Sequence, residues 1–240
     1  MSAGRLAELI RDCAPVVVLT GAGISTESGI PDFRSPTGIW ADVDPMEYAS
    51  MRAFQADPEK VWSFYALRIE TLTGAEPNDA HHSLAELERL GFVRAVVTQN
   101  IDLLHERAGS ENVVEVHGSI RTASCPACGA SYPLDQSLLP LPRCADCGAV
   151  LKPDVVFFGE LLPRAAIDRA YELARGARLL LVVGSSLEVY PVAELPLETV
   201  RAGGSFAIVN RGPTAHDAQA VLKIDASAGE TLREIVTVLT

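Results

Sequence analysis

The chain has 240 residues and a formal net charge of −11, with 48% hydrophobic and 21% charged residues. That length and apolar content suit one large domain, or one domain carrying a small insertion, and the acidic balance argues against nonspecific nucleic-acid binding, which needs a basic footprint. No apolar run approaches the ~18 residues that span a bilayer.

In chain order, the N-terminal MSAGRLAELIRDC reads as a short amphipathic helix rather than a signal peptide. The expectation is a soluble, cytoplasmic, monomeric protein with no membrane or nucleic-acid partner. Residues 14–20 (APVVVLT) form an apolar, β-branched run that stops at Gly21, as a buried strand of a parallel sheet does. Residues 31–63 begin with turn signals and become loosely helical. Asp57-Pro58 pairs an N-cap with a proline at the first helical position and opens a helix to about Leu72. A periodic stretch over 79–90 closes at Gly91, and another over 164–175 closes at Gly176. Residues 93–98, 113–116, 179–183 and 206–209 are further short strands. His81 and His82 fall at a helix start and are expected on its solvent side; His105 and His216 carry no functional signal of their own.

This alternation predicts an α/β fold: a Rossmann-type parallel-sheet domain with an inserted small zinc-binding module and a small helical module. The expected limits are 1–33, 75–118 and 153–240 for the sheet domain, 34–74 for a cofactor loop with the helical module, and 119–152 for the zinc module.

Two constellations carry chemistry. C-P-A-C at 125–128 and C-A-D-C at 144–147 place Cys125, Cys128, Cys144 and Cys147 as two knuckles, each followed by glycine. Four thiolates complete a zinc tetrahedron and leave no position for water, so the metal is structural. Cys13 stands apart. The second is Gly21-Ala22-Gly23, directly after the first strand, as in a dinucleotide-binding turn. The full G-x-G-x-x-G pattern is incomplete, with Thr26 at the third position, and no acidic residue stands where a nucleotide ribose would need one.

The longer segment GAGISTESGIPDFRSPTGIW (Gly21–Trp40), followed by TQNID (Thr98–Asp102), His117-Gly118, FGE (Phe158–Glu160), GSSLEVYP (Gly184–Pro191) and VNRGPT (Val209–Thr214), resembles the sirtuin family over nearly the whole chain. The resemblance implies an NAD-dependent protein-lysine deacylase that yields nicotinamide, O-acyl-ADP-ribose and free lysine from acyl-lysine proteins or peptides, with NAD as co-substrate and one structural Zn²⁺. It gives His117 the role of general base, a task suited to an imidazole. Gln99 would contact the ribose, while Asn100, Ile101 and Asp102 would position nicotinamide, and Asn100 and Asp102 join His117 as catalytic residues. Gly21, Ala22, Gly23, Thr26, Asp32, Phe33 and Arg34 match NAD-contacting positions, with Phe33 shielding the reactive ribose. Gly184, Ser185 and Ser186 would face the adenosine side, Asn210 the adenine ribose, and Ala228 the adenine. Gly212 departs from the family, which often has Glu there.

The acyl-lysine peptide would lie as an added strand between 155–160 and 188–191, touching Val156, Phe157, Phe158, Gly159 and Val189. Tyr65 and Arg68, one helical turn apart, match the Tyr-x-x-Arg of family members that remove succinyl or malonyl groups. Plain deacetylation remains the alternative. Two other readings stay open: ADP-ribosyl transfer to protein from the same NAD site, and a non-enzymatic zinc-ribbon adaptor.

Overall fold

In the computed structural model, which describes residues 2–33, 35–135 and 138–240, the buried run β1 (Val16–Thr20) is the centre of a six-stranded parallel sheet. The remaining strands are β2 (Val93–Thr98), β3 (Val113–Glu115), β7 (Leu179–Val183), β8 (Ser205–Val209) and β9 (Leu222–Ile224), in the order β3-β2-β1-β7-β8-β9. Winding runs outward from β1 to β3 on one side and from β7 to β9 on the other. The reversal between β1 and β7 opens a crevice at the carboxyl ends of those strands, where open α/β sheets bind ligands.

Alternate residues of β1 feed opposite faces, which is why the run is apolar without a break. Val16 and Val18 pack under α1 (Ser2–Cys13), α5 (Asp79–Arg89) and α9 (Ala228–Leu239). The short α6 (Leu104–Arg107) follows β2, and Val17 and Leu19 pack under α7 (Arg164–Gly176) and α8 (Leu195–Arg201). Cys13 is half-buried against the first of these layers.

Beside the sheet sits a smaller body. Its helices are α2 (Pro45–Tyr48), α3 (Met51–Ala56) and α4 (Pro58–Gly74), the last capped by the Asp57 side chain on the Lys60 amide with Pro58 at its first position. Its three-stranded antiparallel sheet has the order β5-β4-β6, from β4 (Gly118–Ser124), β5 (Ser131–Pro133) and β6 (Lys152–Val155). The small sheet therefore reaches Val155, past the limit of 152 expected from sequence. Helical and cysteine-bearing parts share one apolar cluster including Phe54, Trp62, Ile69, Ile120, Leu151 and Phe157. Trp62 Nε1 donates to the Leu151 carbonyl at 2.7 Å, joining α4 to the start of β6. Neither part closes a core alone, so the two modules read separately from sequence pack as one unit.

Candidate active site

A cleft of about 700 Å³ runs along the carboxyl ends of β1, β2, β7 and β8. Gly21, Ala22, Gly23, Thr26, Asp32, Phe33, Gln99, Asn100, His117, Gly184, Ser185, Ser186, Asn210 and Ala228 all line it. The loops that form its floor are in backbone contact. Gly23 N–H donates to the Gly184 carbonyl at 2.8 Å, and a Cβ at Gly23 would stand 2.8 Å from Gly184 Cα. Gly184 has φ 62°, and a Cβ there would meet the Ile24 nitrogen at 2.2 Å. The glycines thus let two strand-end loops touch, which frees the surface above them for a ligand's backbone-level approach. Gln99 Nε2 donates to Ser185 Oγ at 3.0 Å and ties β2 to β7 across the crevice. Arg34 lies outside the described residues.

A second cleft of about 280 Å³ adjoins the first, and Ala22, Phe33, Gln99, Asn100, His117 and Val189 line both. Its own walls include Tyr65, Arg68, Ile101, Asp102, Val156, Phe157, Phe158 and Gly159, together with Ile30, Trp40, Phe64 and Glu160, which the sequence reading did not single out. Tyr65 stacks on Phe157 with centroids 5.2 Å apart. The Arg68 guanidinium lies over Phe33 at 5.2 Å and Phe64 at 5.7 Å. Burial lowers the Arg68 pKa, with the charges of Tyr65 and Asp102 opposing.

His117 stands where the clefts meet. Its Nδ1 is 3.1 Å from the Gln99 carbonyl. A carbonyl only accepts, so Nδ1 carries the proton and Nε2 keeps its lone pair. Burial lowers the His117 pKa, with the Gln99 hydrogen bond opposing, so the ring is neutral at neutral pH.

Behind the seam lies a directed chain. The Asn78 amide donates to His81 Nδ1 at 3.3 Å, so His81 carries its proton on Nε2, which is 3.5 Å from Ser25 Oγ. Ser25 Oγ accepts from Asn100 Nδ2 at 3.1 Å and donates to Asp102 Oδ2 at 2.7 Å. The Leu104 amide donates to the other Asp102 oxygen at 3.0 Å. Burial raises the Asp102 pKa, while Leu104 and Ser25 oppose that shift. In parallel, His105 Nε2 lies 3.0 Å from Thr20 Oγ1, which donates to Thr98 Oγ1, and Thr98 Oγ1 accepts the Asn100 amide. Burial drives the pKa of His81 to about 3 and of His105 to about 4.

The expectation that His81 faces solvent is therefore wrong; only His82 does. Asn78 caps α5, and His81 closes the capping box from the third helical position. That puts its ring on the buried face with Leu84. The spacing Asn78-x-x-His81 was the available signal. Ser25 and His105 offered none, because their importance lies in contacts 77 and 85 residues away along the chain.

The four cysteine sulfurs lie within 4.8 Å of one another, with closest approaches of 3.5, 3.5 and 3.7 Å. A zinc tetrahedron with ~2.3 Å bonds has sulfur edges of about 3.8 Å, so the donor set fits one structural zinc. The knuckles are alike: Gly129 N–H returns to the Cys125 carbonyl and Gly148 N–H to that of Cys144, each at 2.9 Å with positive φ.

Residues 21–191 match the Sir2 family model. A protein of Archaeoglobus fulgidus named NAD-dependent protein deacylase 1 is 44% identical over 97% of this chain and 96% of its own. A Chromobacterium violaceum protein named NAD-dependent protein deacetylase is 47% identical, with 96% and 95% covered. Among solved structures, a mutant Sir2 homologue in complex with ADP-ribose superposes at TM-score 0.94 with 43% identity, covering 98% of this chain and 95% of that one. A Sir2 structure with a deacetylated p53 peptide and 3′-O-acetyl ADP-ribose superposes at 0.94 with 42% identity, covering 99% and 98%. With the cleft at the sheet reversal, the four-cysteine cluster and this agreement over nearly its full length, the chain belongs to the Sir2 family.

Proposed function

We propose that this chain is an NAD-dependent protein-lysine deacylase in which NAD occupies the larger cleft, the acyl-lysine enters the smaller one, and His117 is the base between them. The observation that carries this reading is the placement of His117 on both clefts, with Nδ1 tied to Gln99 and Nε2 without a hydrogen bond among the described residues. NAD supplies a ribose carbon that becomes electrophilic as nicotinamide leaves, and the acyl oxygen attacks it. His117 Nε2 would take the proton of a ribose hydroxyl, whose oxygen attacks the acyl carbon. The bond from that carbon to the lysine nitrogen breaks, the amine leaves carrying a proton, and one water completes the exchange, so that NAD, acyl-lysine and water give nicotinamide, lysine and O-acyl-ADP-ribose. Asn100 and Asp102, held through Ser25, position the departing nicotinamide. Phe33 spans both clefts and excludes water from the ribose.

The peptide lies along 155–160, facing 188–191. Phe158 already exchanges backbone hydrogen bonds with Ala49 and Met51 on one side, and Val156 N–H is held by the His117 carbonyl. A segment held in place in this way suits β-augmentation, which gives affinity with little sequence reading.

For the acyl group, we propose that acetyl is accepted and that Tyr65 with Arg68 also admits carboxylate-bearing acyls such as succinyl. Both residues line the smaller cleft, and a guanidinium can bind a carboxylate through two parallel hydrogen bonds.

The test incubates acetyl- and succinyl-lysine peptides with NAD and follows them by mass spectrometry. Nicotinamide should form one-for-one with deacylated peptide and O-acyl-ADP-ribose. ADP-ribose appearing on protein at a rival rate would favour a transferase instead, and no nicotinamide release at all would leave only an adaptor.

A further inference from the structure

Lys152 occupies an unusual position for a lysine. It opens β6, directly after Leu151, whose backbone holds Trp62 and the Pro142 carbonyl at the end of the cysteine module. Its side chain is only 13% exposed, and its ammonium is fully satisfied: it donates to the Pro153 carbonyl at 3.0 Å, the Val155 carbonyl at 2.8 Å and Glu160 Oε2 at 2.9 Å. It also lies 4.2 Å from the Phe157 ring centroid. The same Glu160 oxygen accepts the Phe157 amide at 2.7 Å, while the Glu160 amide returns to the Phe157 carbonyl at 3.0 Å. One carboxylate oxygen therefore closes the turn that carries Phe158 and Gly159, and one ammonium anchors that oxygen to the first residue of β6, at the end of the cysteine module.

We propose that Lys152 and Glu160 are a positioning pair that fixes the substrate-facing segment 155–160, so that the geometry of the zinc module reaches peptide binding through one ammonium–carboxylate contact. This rests on the assignment of 155–160 to the peptide. Half-buried ion pairs add little net stability but specify an arrangement, and breaking one by removing a single partner strands the other charge. Glu160 lines the smaller cleft, so without Lys152 an uncompensated carboxylate would face the acyl-lysine. The larger cleft lacks both residues among its lining, so dinucleotide binding should be insensitive to them.

The experiment compares zinc-loaded wild type with Lys152→Met, Lys152→Arg and Glu160→Gln, reading KM for peptide, KM for NAD, kcat, and binding of a labelled acetyl-lysine peptide by fluorescence anisotropy. Lys152→Met should raise peptide KM and Kd by about tenfold, the scale of a lost hydrogen bond to a charged group, with NAD KM unchanged. Lys152→Arg should recover most of this, and Glu160→Gln should show a smaller shift in the same direction. Equal weakening for NAD and peptide, a fall in kcat alone, or no change would overturn the proposal. Should Lys152→Met lose zinc or fold poorly, Glu160→Gln decides: unaltered peptide binding refutes the pair. If the wild type fails to deacylate, the proposed activity falls, and the anisotropy measurements still decide whether the pair positions the segment.

Discussion

The two clefts are built by different means. The larger is made of strand ends, glycines and short polar side chains, held by main-chain contacts such as Gly23 to Gly184. The smaller is made of side chains, chiefly the aromatic rings of Phe33, Trp40, Phe64, Tyr65 and Phe157, brought together from the loop after the glycine turn, the helical module and the segment after the zinc module. A main-chain site tolerates little change in backbone and much in side chain. A side-chain site can be retuned one residue at a time, and so it is where a difference in acyl preference would arise.

The largest expected effect comes from removing zinc. Structural zinc contributes on the order of 10 kcal/mol of folding free energy in small modules. Metal analysis should find one zinc per chain. Chelation should unfold the small body, seen as enhanced proteolysis within 119–155, and abolish peptide binding before ADP-ribose binding. Simultaneous loss of both would show that the two regions are a single cooperative unit. Next comes His117→Ala, which should cut turnover by ~10²–10⁴-fold, the usual contribution of a general base. ADP-ribose affinity should persist, because strand ends provide it. Retention of a tenth of the activity would remove His117 from the base role.

The same contrast explains what the sequence reveals. Strand-end motifs are local: Gly21 to Gly23, Thr98 to Asp102 and Gly184 to Ser186 each lie within a few residues, so their place just after a strand is legible in the sequence, while their expected roles come from the family resemblance. The cysteine knuckles are legible for the same reason. The seam behind the clefts is not, since Ser25 meets Asp102, and Thr20 meets His105, only once the sheet has formed. His81 was misread because amphipathic position alone does not report a capping box that turns a ring inward. The joining of helical and zinc modules was hidden too, because their shared cluster draws on residues as far apart as Phe54 and Phe157.

Arg68→Met sharpens the comparison on the side-chain cleft. It keeps length and removes charge, so the specificity constant for succinyl-lysine should fall by about one to two decades, as expected for a charge-assisted contact of ~1.5–3 kcal/mol. Acetyl-lysine should change less, by whatever Arg68 contributes through its stacking on Phe33 and Phe64. Tyr65→Phe should act likewise at smaller size. Equal losses on both substrates would make Arg68 a wall residue rather than a selector.

The smallest effect tests whether the histidines of the hydrogen-bonded seam behind the clefts stay uncharged in the folded protein. His81 and His105 are buried and neutral, with pKa values driven by burial to about 3 and about 4. In the unfolded chain they titrate near ~6.5. Between those limits the unfolded state binds more protons, so stability is fully present above about pH 6.5 and is lost as pH falls toward the folded values. By about pH 5.5 each histidine should have cost about 1 kcal/mol relative to pH 7. Asp102 runs the other way, since its raised pKa favours the protonated, folded form at more acidic pH. A variant difference therefore isolates the histidine contribution. His105→Gln should be less stable than wild type at pH 7, because it disturbs the bond to Thr20 Oγ1. Its further loss on acidification to about pH 5.5 should be smaller by about 1 kcal/mol. Urea unfolding at the two pH values measures this directly. An identical drop in both proteins would mean that His105 is protonated in the folded state, and the seam would then be a hydrated, charged floor.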